Sequence, residues 1–344
     1  MIAYLICCIL PVISFLFFDK HKKKSFFYIF ILLLPLFFLL AFKSDNIGAD
    51  TKSYNRMFEM MKNGTFNQEA SFDSIEPGYK YFLMLLTKIS YDPHIQYVVC
   101  AVFFHLGLSY FIYKNTKISS LFVLFYMCFG LYIFYMSGLR QSIAITICLI
   151  AFSQAKQKHF FGFLLLVGLA TLFHKSAVIF IFVYILSLYK FTKKIIPIYV
   201  GILIAVFVLG YPILFASSYF FDSKYGIEDA RNGYVFIFII LMITIISFVL
   251  FKKLIKDEED NAIIIQLNLV SACFWILRFF SRTAERPSLY FLPFTIILIE
   301  RIFLLIKNDS ARRITKFVLV SFSVLYFLYR LYIVGYIPYE AFFI

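Results

Sequence analysis

Hydrophobic residues along this chain come in long continuous runs, with polar and charged residues confined to short stretches between them. Runs of ~20 apolar residues, at about 1.5 Å of helix each, match the hydrocarbon thickness of a bilayer. Twelve membrane-crossing helices are predicted, near residues 2–18, 26–42, 95–113, 118–136, 139–155, 160–173, 176–189, 195–214, 234–251, 262–280, 288–305 and 317–334. The segment 78–90 is shorter and carries Lys80 and Lys88, and is expected to be an interfacial or re-entrant helix. The long polar segment 43–94 holds Tyr54, Met57, Phe58 and Met61 at helical spacing, with Lys52, Arg56, Glu59 and Lys62 on other faces. This predicts an amphipathic helix along the membrane surface. A second polar segment, 215–233, carries Asp222, Glu228, Asp229 and Arg231.

Composition agrees with the pattern. Of 344 residues, 62% are hydrophobic, 21% aromatic and only 15% charged, against about 25% charged in soluble domains. Soluble, disordered, collagenous and disulfide-scaffold classes are excluded, leaving an all-α integral membrane protein read as one polytopic domain, 1–344. Thirty-three Lys and Arg against nineteen Asp and Glu give a net charge of +14. The basic residues cluster between runs, at Lys20 to Lys24, Lys114 to Lys117, Lys156 to Lys158, Lys190 to Lys194, Lys252 to Lys256 and Lys307 to Lys316. Placing these in the cytoplasm puts both termini, 43–94 and 215–233 on the outer side. No nucleic-acid motif accompanies the charge. The six cysteines lie inside apolar runs without CxxC spacing, implying neither a metal site nor a disulfide. The stretch 2–18 lacks a basic leader and a small-residue cleavage site, and is expected to be a retained span.

Candidate chemistry then rests on polar residues where a membrane makes them expensive. On this topology they gather at the outer face. Arg140 follows Gly138 at the outer end of a span, where a helix N-terminus can help hold an anion; the plainer reading is an arginine snorkelling to headgroups. His174 sits in a two-residue break between short spans, as an acid, a base, a phosphate donor or a turn residue. Arg278, Arg282 and Arg286 are four residues apart, which on one helix stacks three guanidinium groups beside Glu285. Such forks suit phosphate and diphosphate oxygens, or outer-leaflet lipid phosphates. Pro287 is expected to move Arg286 out of helical geometry and to open the next span. Asp50 precedes the amphipathic helix as an N-cap or a site acid, and Glu76 stands extended before Pro77 and Gly78. The run Asp257 to Asp260 reads as a solvated cytoplasmic loop.

These residues, Asp50 with Tyr54, Glu76-Pro77-Gly78-Tyr79, Gly138-Leu139-Arg140-Gln141 with Ala144, Leu172-Phe173-His174-Lys175-Ser176-Ala177, and Arg282 through Arg286 to Tyr290, together resemble the EpsG family of Wzy-type polysaccharide polymerases. The region 195–260 carries no such signature. The resemblance implies a GT-C-like membrane glycosyltransferase of the bacterial inner membrane, making O-antigen, capsule or exopolysaccharide, with its site facing the periplasm or exterior. Its donor would be the growing glycan on undecaprenyl diphosphate, and its acceptor a lipid-linked repeat unit. It implies no cofactor and no metal, and adds membrane lipids and a chain-length regulator as partners. Arg140, Arg278, Arg282 and Arg286 would hold the diphosphate, and Arg140, His174, Arg282, Glu76 and Asp50 would be catalytic, with Asp50, Glu76 and Glu285 competing as general base. Tyr54, Gln141, Lys175, Glu285 and Tyr290 would contact substrate. A lipid-linked oligosaccharide flippase is the alternative; it should carry charges at the midplane and on both faces.

Overall fold

A computed structural model describes residues 2–18, 25–69, 72–189, 191–218, 233–333 and 339–342. Among the described residues the protein is all-helical, with 80% helix and no strand. Where the sequence reads as one domain, packing within the chain forms two compact units, Met1–Ile181 with Lys316–Ile344, and Phe182–Thr315. The Lys20 to Lys24 cluster, Lys190, and residues 219–232 of the second polar segment lie outside the described residues.

The first unit begins with α1 (Ile2–Ile13), extended by a wider turn at Ser14–Phe18, and α2 (Phe26–Ala41). The polar segment 43–94 follows, with α3 (Thr51–Lys62) and α4 (Pro77–Leu86). Then come α5 (Ile95–Asn115), α6 (Ser119–Cys128), α7 (Leu131–Ser137), α8 (Leu139–Lys156) and α9 (Phe160–Thr171). A 3₁₀ turn, Lys175–Phe180, follows, and the next helix, α10 (Ile181–Leu188), belongs to the second unit from Phe182 onward. α5 packs on α2 and α8, and α8 packs on α9. Because α8 is apolar on nearly every side, it is buried along most of its length and forms the centre of this unit. α3 forms where expected, and Tyr54, Met57 and Phe58 are buried. That face meets α4 and α5: the Tyr54 and Tyr79 rings lie 5.6 Å apart, and Asn55 accepts from Tyr97 and Gln96. Residues 341 and 342 clip onto the start of the polar segment through a Lys43–Ala341 bridge and Phe342 N–H to Phe42 O at 2.8 Å.

The second unit contains α11 (Ile196–Val208), α12 (Gly210–Ser218), α13 (Tyr234–Val249), α14 (Phe251–Asp257), α15 (Asn261–Leu277), α16 (Glu285–Ser288) and α17 (Leu292–Leu304). α15 is its core, packed on α11, α13 and α17. The last helix, α18 (Asp309–Ile333), belongs to the first unit from Lys316 onward.

Among the described residues two helices, α5 and α18, are individually long and apolar enough to cross a membrane, and there are up to six such spans if each bent pair counts as one. Two segments expected as continuous spans are bent, α6 with α7 by 55° and α11 with α12 by 72°, and two further bends, α13 with α14 by 74° and α16 with α17 by 65°, fall at the ends of the expected spans 234–251 and 288–305. The cause is local in each case that the sequence explains. Gly130 takes a left-handed φ of 77° between α6 and α7. A Cβ at Gly210 would overlap the Phe280 ring. α14 buries Phe251 and Leu254 but exposes Lys252, Lys253 and Lys256, so it turns to keep three ammonium groups in water.

Candidate functional site

Glu76 is the residue before α4. Pro77 disfavours helical geometry for its predecessor, so Glu76 is extended (φ −62°, ψ 142°) and its side chain stands off the helix start. Gly78 N–H donates to Leu172 O at 2.8 Å, and a Cβ at Gly78 would stand 2.6 Å from that oxygen. Only glycine lets the start of α4 lie against the end of α9. Two residues beyond Leu172, His174 is also extended (φ −157°, ψ 118°) and faces Glu76. From the third side, α8 opens after Gly138 and presents Arg140 from its second position.

The three side chains meet at one carboxylate. Arg140 Nη1 donates to Glu76 Oε2, and His174 Nδ1 lies 3.1 Å from Oε1. Lys175 N–H donates to the same Oε1 at 3.2 Å. Glu76 is only 5% exposed, whereas Arg140 and His174 keep 24% and 19%. Burial pushes the Glu76 carboxyl upward, but the His174 hydrogen bond and the Arg140 charge outweigh it and bring it down to about 2. An ionised carboxylate only accepts, so His174 Nδ1 is the donor and, in the neutral ring, Nε2 carries the lone pair. Tyr54 is buried and hydrogen-bonded with Arg140. Burial, partly opposed by that guanidinium, pushes its hydroxyl up to about 12, so it stays protonated. Arg140 Nε is buried with no hydrogen-bond partner among the described residues, a donor left for a ligand.

Behind the cluster lies a polar network. Tyr79 donates to Gln96 Oε1 at 3.0 Å, Gln96 to Asn55 Oδ1 at 3.2 Å, and Tyr97 to the same Asn55 oxygen at 2.6 Å. Lys43, with 0% exposure, donates to Ile47 O at 2.8 Å and Thr51 Oγ1 at 2.6 Å and lies over the Tyr97 ring. These bonds fix α3, and so Tyr54, against α5. Asp50 occupies the N-cap position of α3 but its side chain makes no capping bond. It is an electrostatic neighbour of Tyr54 instead. Gln141 is buried on α8, and the Lys175 side chain is exposed.

In the second unit the arginine stripe needs correction. α15 stops at Leu277, so Arg278, Arg282 and Arg286 do not share a helical face. Arg278 sits at the helix end, Arg282 in a 3₁₀ turn and Arg286 in α16. Ser281 is extended, and its side chain accepts from Thr283 N–H, a local bond that competes with continuing the helix. Arg286 is helical despite Pro287, and it is Pro293, not Pro287, that occupies the first turn of α17. Arg278 is buried and bonds Glu285 at 3.3 Å, while Arg282 and Arg286 are exposed and Tyr290 is buried. Among the described residues no group of three or more His, Cys, Asp or Glu is arranged to hold a metal ion.

The EpsG family model matches residues 26–341, a range that contains Glu76, Arg140, His174 and Arg282. The chain belongs to the EpsG family. Neither a curated protein nor a solved structure matches it. The EpsG family is associated with Wzy-type polymerases. Membership carries a membrane polysaccharide-polymerase type of function, glycosyltransferase-like in its chemistry, in a multi-pass membrane protein.

Ionisable residues of this EpsG-family chain are not confined to the Glu76 cluster and the arginine segment. His105 of α5 lies between the Phe30 and Phe37 rings, at 4.1 and 5.7 Å. Arg301 of α17 pairs with Glu258 at 3.1 Å and approaches the fully buried Glu300 at 3.7 Å. Glu258 is therefore part of an ion pair and not of a merely solvated loop. Arg330 of α18 reaches the α6–α7 break. Each is a charge or imidazole inside or beside a predicted span, a signal present in the sequence.

Proposed function

We infer that the protein is a Wzy-type polysaccharide polymerase, a metal-independent membrane glycosyltransferase that moves the growing glycan from undecaprenyl diphosphate to a lipid-linked repeat unit. The observation that carries this reading is the meeting of Glu76, Arg140 and His174, from three distant segments, around one ionised carboxylate. In the reaction the acceptor hydroxyl oxygen bonds to the anomeric carbon of the donor, and the bond from that carbon to the diphosphate breaks. The diphosphate leaves with the electron pair, and the hydroxyl proton goes to His174 Nε2. Glu76 orients the imidazole and stabilises its protonated form, as a buried carboxylate does for a catalytic histidine. This assigns the base role to His174: Glu76 is held ionised by three donors, and Glu285 is engaged by Arg278. The Arg140 guanidinium, with Nε available and Tyr54 beside it, offsets charge developing on the leaving diphosphate.

Both substrates carry a diphosphate, and the chain has two cationic sets, Arg140 in the first unit and the exposed Arg282 and Arg286 in the second. Asp50 and Lys175 are assigned to sugar hydroxyls, and Arg278 positions Glu285. The accompanying architecture is twelve crossings with both ends outside, GT-C-like, in the bacterial inner membrane with the site facing the periplasm or exterior. Two long helices, four bent pairs and the shorter apolar helices among the described residues favour a many-crossing bundle.

The test is the size distribution of lipid-linked and surface glycan on a gel, in cells with the intact gene, the deletion, Arg140→Ala and His174→Ala. Collapse of the ladder to a single repeat in all three altered strains is expected. An unaltered ladder in the deletion overturns the reading, and cytoplasmic accumulation of single repeats points to a flippase.

A further inference from the structure

The break between α6 and α7 raises an accounting problem. Carbonyls in the last turn of an interrupted helix lose their helical donors, and inside a membrane no water replaces them. Here the donor comes from α18. Arg330 Nη1 donates to Phe129 O. Next to it, Gly130 holds its left-handed φ, and a Cβ at Gly130 would overlap the Arg330 guanidinium. The planar cation thus occupies the space of the missing side chain and faces the negative end of α6. A charge placed inside an apolar helix is costly, so one that ends on a helix break marks a built feature.

What the break controls lies further along the chain. α7 leaves it at 55° to α6 and ends at Ser137, whose Oγ accepts from Ala49 N–H at 3.2 Å. The chain passes through Gly138 and enters α8 with Arg140 in the second position. The angle of α7 therefore sets both the start of α8 and the seat of the loop that carries Asp50. No bond joins Arg330 to Glu76, Arg140 or His174 among the described residues, so any influence travels through the backbone of α7.

We propose that Arg330 is a positioning residue for Arg140: its guanidinium, bonded to Phe129 O beside Gly130, fixes the α6–α7 angle and thereby the place of Arg140 and the Asp50 loop. The activity arm of its test rests on the polymerase reading; the geometric arm does not.

The experiment uses the full chain in native membranes, as Arg330→Met, Arg330→Lys, Arg140→Ala and the double variant Arg330→Met with Arg140→Ala. Arg330→Met is expected to lower the rate of glycan extension at least about tenfold at unchanged membrane abundance, in kcat with little change in KM for the lipid-linked repeat. Arg330→Lys, which keeps a cationic donor for one carbonyl, should recover most of the loss. Added to Arg140→Ala, Arg330→Met should cost nothing further, as expected when two residues act on one feature. In parallel, a Ser137→Cys reporter treated with a membrane-impermeant maleimide should label several-fold faster with Met at 330 than with Arg. If the Met variant does not accumulate, Arg330→Gln takes its place.

Extension within twofold of the parent, together with unchanged labelling of Cys at 137, overturns the proposal. So does a loss that multiplies in full with that of Arg140→Ala, which marks a general packing role. An intact ladder in the deletion strain sinks the polymerase reading alone, and the maleimide labelling then decides the role of Arg330.

Discussion

The carboxylate cluster of the first unit and the arginine segment of the second are built in opposite ways. Glu76, Arg140 and His174 come from three parts of the chain and meet because Gly78 lets α4 touch the end of α9 and Gly138 opens α8 beside them. Arg278, Glu285, Arg282 and Arg286 come from one short stretch; Arg278 and Glu285 form an ion pair there, whereas Arg282 and Arg286 are exposed. Backbone packing that cannot be read from spacing creates the tight site; spacing that looks periodic creates none. A buried, multiply bonded charge belongs to a geometry that chemistry can use, whereas an exposed guanidinium is screened by water and can only attract.

The comparison breaks most visibly at Arg140. Arg140→Ala should lower kcat for glycan extension about 10²- to 10³-fold, the range seen when one preorganised donor to a developing charge is removed. The check is a steady-state assay with a lipid-linked repeat. A loss below about tenfold would make the cluster structural and leave the chemistry elsewhere.

Next in size is the pH response of Glu76. Its carboxyl titrates near 2 in the folded protein, below the ordinary value of about 4.3. A depressed carboxylate gives stability that is fully present above the ordinary value and is lost as pH falls through it toward 2. The difference amounts to about 3 kcal/mol. Glu76→Gln should therefore melt well below the parent at pH 7, and the gap should shrink as the pH is lowered from about 5 toward 2. Thermal melts of both proteins across that range decide it, and a gap independent of pH would show that the pairing around Glu76 is not ionic.

Much of this was legible beforehand. The apolar runs located the helices, and Tyr54, Met57 and Phe58 gave the buried face of α3. Glu76, Arg140 and His174 were each singled out, since Pro77, Gly138 and the short span ends mark where the backbone must change direction. That the three would share one carboxylate was not legible, because it depends on Gly78 meeting Leu172 O, a contact 94 positions apart that leaves no periodic trace. The bends were hidden for the same reason: hydropathy is blind to direction, and Gly130 only becomes a break once Arg330 arrives from α18. The arginine stripe was over-read because four-residue spacing is meaningful only if the helix continues, and the Ser281–Thr283 bond ends it.

Gly78→Ala tests the packing side of the comparison. The added methyl meets Leu172 O, and neither backbone can move without disturbing α4 or α9. Overpacking of this kind costs about 1–3 kcal/mol. Melting temperature should drop, and extension should fall further than stability alone explains, because His174 follows Leu172 by two residues. Alanine at the exposed-side Gly168, where nothing lies within 4 Å, is the control and should change neither.

The smallest structural effect is expected at Arg282, and for that reason it reads the second region most cleanly. An exposed side chain with no ion pair among the described residues can be removed at a cost within about 0.5 kcal/mol, so Arg282→Ala should leave the melting curve where it was. If Arg282 attracts a substrate diphosphate, the variant loses one charge-assisted hydrogen bond of about 1.5 kcal/mol, a rise of roughly tenfold in KM. kcat should hold, because a contact made equally in ground and transition state lowers KM without helping the chemical step. Added salt should narrow the difference from the parent, as screening already weakens the attraction there. A fall in kcat matching that of Arg140→Ala, with KM unmoved, would instead put Arg282 at the reacting centre and erase the contrast between a preorganised cluster and an outward-facing one.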